Sequence, residues 1–126
     1  GPIFETRLVT HVVAAFILQS EKKSLSYKEI ITLVIKANQE SVKTSNYPIF
    51  TDPTIIHNRT AASSHTSNLI LGKLVSLEWN DVIDFKSDDT YSVKSGITFD
   101  DLDELSDFDL EIIFRISSIT FSPRTI

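Results

Sequence analysis

At 126 residues and 14.2 kDa the chain has the length of one ordinary domain. Hydrophobic residues make up 41% and charged residues 23%, enough apolar material for a core and too much for a disordered tail. The absence of cysteine removes disulfides, thiolate metal sites and cysteine nucleophiles together, and three glycines with four prolines exclude collagen-like, phosphate-loop and linker compositions.

No apolar stretch approaches the roughly 20 residues needed to cross a bilayer. Gly1-Pro2 has the form of a protease-cleavage scar. The expectation is one intracellular soluble domain over residues 1–126, the C-terminal fragment of a longer chain.

The net charge of −5 is unevenly spread. Residues 1–77 carry eight Lys/Arg against five Asp/Glu, whereas residues 78–114 carry twelve acids against Lys86 and Lys94. Duplex binding depends on neutralising phosphates, so this acidic third argues against DNA contact. It reads as a solvated face with helix caps, or alternatively as a dock for a basic protein partner.

In chain order, Phe4 to Ser20 reads as a helix. Leu8, Val12, Ala15 and Phe16 form one buried stripe, and Val9, Val13 and Ile17 form a second beside it. Such a helix is either central to the core or covered by another chain. Ser26 and Glu29 then have capping-box spacing, opening a helix to about Val42 with Ile30, Ile31, Val34 and Ala37 inside. A brief strand at Leu25 has room before it.

Residues 44–63 hold turn signals, and Asp52-Pro53 allows a short helix over 53–59. Ile49, Phe50, Ile55 and Ile56 suggest an insert that packs down. A third long helix is predicted from Ser64 to about Glu78 on Leu69, Ile70, Leu74 and Leu77, with Trp79 closing the end. Val82–Lys86 and Tyr91–Ser95, joined by a turn at Ser87–Thr90, read as a β-hairpin. Caps around Asp100–Asp109 precede Leu110–Ser117, which is compatible with either helix or strand.

Groupings that chemistry would need are missing. His11, His57 and His65 have no partner at a compact metal-binding spacing, and there is no HExxH motif. No GxSxG elbow couples a serine to a base, and Gly72 and Gly96 stand alone. Asn58-Arg59-Thr60 reads as a chance sequon. The expectation is a non-enzyme with no cofactor and no metal.

The order helix, short strand, helix, helix, β-hairpin is that of a winged helix, an α+β, mainly helical fold with an insert between its second and third helices. Three features depart from a DNA reader. The insert replaces a tight turn, the third helix offers Lys73 but no arginine, and the predicted wing from Asp84 to Asp89 is acidic.

The apolar stretch Arg7–Phe16, the capped Ser26–Glu29 helix, the insert and the acidic Trp79–Tyr91 segment resemble one family. It is that of the C-terminal variant winged-helix domains of the third silent information regulator protein of budding yeasts, a silencing paralogue of the largest origin-recognition subunit. The resemblance spans nearly the whole chain through overall pattern, without a diagnostic motif. It implies a nuclear homodimerisation module that joins nucleosome-binding subunits so that heterochromatin spreads, with no catalytic residues.

An all-round apolar helix beside an acidic, poorly basic wing points the same way, to a protein interface. The expected dimer face is Val9, Val13 and Ile17, with Phe114, Ile116 and Phe121 from the tail. Its partner is a second copy, with other silencing or chromatin proteins reached through the parent chain and no direct DNA or membrane contact. The alternatives are a DNA-binding winged helix of replication-initiator type, suggested by Lys22, Lys23 and Lys28, and a hetero-interaction domain of a larger nuclear complex.

Overall fold

A computed structural model describes residues 10–45 and 64–121, with side-chain surroundings for 10–44 and 67–118. The described residues form an α+β, mostly helical structure. Four helices, α1 (Thr10–Gln19), α2 (Tyr27–Ser45), α3 (Ser64–Trp79) and α4 (Asp107–Phe121), accompany three strands, β1 (Ser24–Ser26), β2 (Ile83–Phe85) and β3 (Thr90–Val93). The strands form an antiparallel sheet ordered β1-β3-β2. None of the described helices is long and apolar enough to cross a membrane.

The centre of the core is α1. Six successive residues, Val12 to Ile17, are 0% exposed. Helices α2, α3 and α4 and strands β1 and β3 all touch α1, so the fold covers the described part of both apolar stripes with its own chain. Ser20 ends the helix: its N–H donates to the Phe16 carbonyl at 3.1 Å and its hydroxyl to the Ile17 carbonyl at 2.7 Å. Lys23, left-handed at φ 52°, then turns the chain into β1.

Helix α2 starts as its sequence predicts. The Ser26 N–H donates to Glu29 Oε1 at 2.9 Å and the Glu29 N–H to Ser26 Oγ at 3.2 Å. Ile30, Val34 and Ala37 are buried as expected, joined by Leu33 and Ile35, while Ile31 is only half-buried. The predicted insert lies almost wholly outside the described residues, as do Ile49, Phe50, Ile55 and Ile56 and the proposed helix over 53–59.

Helix α3 turns Ile70, Leu74 and Leu77 inward. It closes on a Schellman motif. The Val82 N–H donates to the Leu77 carbonyl at 2.9 Å and the Asp81 N–H to the Glu78 carbonyl at 3.1 Å, with Asp81 left-handed at φ 59°. The hairpin follows, with Asp89, φ 62°, taking the left-handed place where the turn rejoins the ladder. Leu25 and Phe85 both pair with Tyr91 in register, and Ile83 with Val93.

Leu110–Ser117 is helical within α4. A second capping box opens that helix: the Ser106 N–H donates to Asp109 Oδ2 at 3.0 Å and the Asp109 N–H to Ser106 Oγ at 3.1 Å. The alternation of Ile112, Phe114 and Ile116, which fits a strand equally well, is coincidental. Ile112 and Ile116, four apart, share the buried face, while Phe114 lies on another and is 39% exposed.

Candidate protein-docking face

The residues expected at a dimer interface do not form one surface. Val13 and Ile17 are fully enclosed in the chain's own core, and Ile116 is 6% exposed. These three placements are corrections: a doubled apolar stripe needs a second chain only where the fold fails to surround it, and here it succeeds. Val9 lies outside the described residues, and Phe121 ends α4 with its side chain outside them. Phe114 alone among the six is both described and exposed, its ring meeting Phe99 edge-on at 5.2 Å between centroids.

Among the described residues, three of the six exposed large hydrophobic side chains belong to α3. Leu71 is 41% exposed, Val75 45% and Trp79 85%, at successive four-residue spacings beside the buried row. Strand β2, which packs on α3, brings Phe85, 53% exposed, with its ring 4.8 Å from Tyr91. A hydrogen bond from Tyr27 Oη to the Ser67 carbonyl at 2.5 Å fixes the other end of α3 against α2.

Burial pushes the Tyr91 hydroxyl's pKa up, and the nearby Glu78 carboxylate pushes it further. Glu78 lies in the last turn of α3, one residue before Trp79. Within that helix, a doubled stripe (70, 74, 77 beside 71, 75, 79) was visible in the sequence. It is the same pattern that drew attention to α1.

The outer face of the sheet is polar. Ser24 Oγ donates to Thr90 Oγ1 at 2.7 Å, and Thr90 Oγ1 to Asp88 Oδ1 at 2.5 Å. The Thr90 hydroxyl thereby holds the Asp88 carboxyl below the usual aspartate range. Lys94 lies 3.2 Å from Asp84 and 3.8 Å from Asp81, and its hydrogen bond to Asp84 raises its pKa. A shallow cleft there is lined by Lys22, Lys23, Lys86 and Lys94 with Asp84 and Asp88. Two carboxylates stand among its four lysines, and one of them, Asp84, is paired with Lys94.

His11 sits at the start of α1. Its N–H donates to Glu104 and its Nδ1 lies 3.9 Å from Asp103. No group of three His, Cys, Asp or Glu could hold a metal ion among the described residues. His57 lies outside them, as does the side chain of His65. Comparison of the chain with family models, curated proteins and solved structures finds no match in any of the three.

Proposed function

We propose that the chain is a variant winged helix that binds protein rather than DNA and, as its resemblance implies, homodimerises. In that role it is a non-enzymatic, nuclear module of a chromatin silencing regulator, linking nucleosome-binding subunits so that silenced chromatin can spread. One observation carries the reading: α3, the helix that would enter the groove in a DNA-reading winged helix, shows solvent Leu71, Val75 and Trp79. Direct readout uses Arg, Lys, Asn or Gln at such positions, and protein interfaces are enriched in aromatic anchors.

Phe114 is the dimer contact this reading retains, on α4 beside Phe99. Joining two weak chromatin-binding subunits multiplies their apparent affinity through effective concentration, without the domain touching DNA. Sedimentation equilibrium at micromolar concentration is expected to give a dimer mass, unchanged by a DNA duplex in low salt. Phe114→Asp is expected to give a folded monomer. A monomer in the parent chain removes the dimer, and salt-dependent duplex binding removes the protein-binding reading as a whole.

A further inference from the structure

The open row of α3 has a charge that selects its occupant. The last turn of α3 contains no basic residue. Glu78 lies in that turn, and Asp81, two residues beyond Trp79, is 86% exposed at its side chain. The helix macrodipole adds partial negative charge at the same end. Lys94 ion-pairs with Asp84 at 3.2 Å and with Asp81 at 3.8 Å, so two carboxylates share one lysine there and net negative charge remains. The apolar face thus ends on a negative rim around an open indole, and an indole face attracts cations, arginine above all.

We propose that Leu71, Val75, Trp79 and Phe85 dock a cationic apolar segment of another protein. The partner's aliphatic side chains lie along Leu71 and Val75, and its arginine stacks on Trp79 within reach of Glu78 and Asp81. A second copy of this chain is the poorer occupant, because it brings the same acidic rim to the contact and sets carboxylates against carboxylates. This docking rests on the reading of α3 as a protein-facing helix and is separate from the dimer contact at Phe114.

Trp79 is the sole tryptophan, so its fluorescence reports on this face directly. The probe is a synthetic amphipathic peptide of about four helical turns with leucines on one face and arginines on the other. Its twin carries glutamates in place of the arginines. The arginine peptide is expected to give a saturable blue shift and the glutamate twin none. Val75→Asp, at an exposed position, is expected to keep the circular dichroism of the parent and weaken binding at least about tenfold. Glu78→Lys combined with Asp81→Lys is expected to exchange the preference between the two peptides.

Equal binding of the two peptides, no saturable shift up to about 1 mM, or binding untouched by Val75→Asp overturns the proposal. So does a blue shift that grows with protein concentration alone and vanishes in Val75→Asp, since the occupant is then a second copy. A dimer that persists in the absence of peptide binding removes this docking only. Duplex binding in low salt removes the reading beneath it.

Discussion

Asp88 shows one side chain ordering its own turn. Its carboxylate accepts the Thr90 hydroxyl at 2.5 Å and the Thr90 N–H at 3.3 Å, and the first of these lowers its pKa. The folded carboxyl therefore has the lower pKa. Its contribution is complete above the ordinary aspartate range and is lost as pH falls through the folded value. An NMR titration of the Asp88 carboxyl carbon is expected to show this low midpoint, and Thr90→Val is expected to move it upward.

Ser26 offers a stability test on the same scale. Its hydroxyl accepts the Glu29 N–H, and Ser26→Ala is expected to cost about 1 kcal/mol, read as a lower urea midpoint with an unchanged slope. That cap was legible because serine followed by glutamate three residues on has a known geometry. The Schellman close at Asp81 was not, since the usual marker of a left-handed residue is glycine and an aspartate stands there.

At the scale of elements, α1 and α3 carry the same signal and meet opposite fates. Each has two adjacent apolar stripes, and periodicity reports only that both are apolar. What decides exposure is the number of neighbours: α1 is surrounded by three helices and two strands, whereas α3 packs chiefly on α1 and β2. Val13→Asp is consequently expected to unfold the domain, leaving an unpaired charge in a fully enclosed site at a cost of several kcal/mol. Total stability for a domain of this size is about 5–15 kcal/mol, so loss of the helical circular dichroism at 25 °C is the readout. A folded Val13→Asp monomer would return α1 to the surface. The order of the described elements as far as β3 was readable from caps and periodicity, although α2 runs on to Ser45 and β3 begins at Thr90, inside the expected turn; Leu110–Ser117 needed the structure to separate two periods that its apolar residues satisfy equally.

For the whole molecule, function was less readable than fold because no motif fixes a chemistry. The acidic third divides among jobs: Asp101 caps a single 3-10 turn over Phe99–Asp101, Asp109 caps α4, Asp84 and Asp81 engage Lys94, and Glu78 lies in the last turn of α3. Composition alone cannot distribute those roles, since each depends on which element an acid terminates. With the proposed dimer contact on α4 and the proposed docking face on α3, Phe114→Asp and Val75→Asp are expected to act independently. The double variant should lose both self-association and peptide binding, each by the amount its single variant loses, as measured by sedimentation and by Trp79 fluorescence.

Strand β1 hydrogen-bonds β3, pairing Ser24 with Ser92, and α1 is enclosed by elements as late as α4. A ribosome therefore releases the greasiest helix of this protein long before its cover has been translated. Until Asp107–Phe121 has left the exit tunnel, the nascent chain offers chaperones Val12 to Ile17 with part of their wrapping missing, and a stop codon ahead of that segment would yield a product fit for degradation.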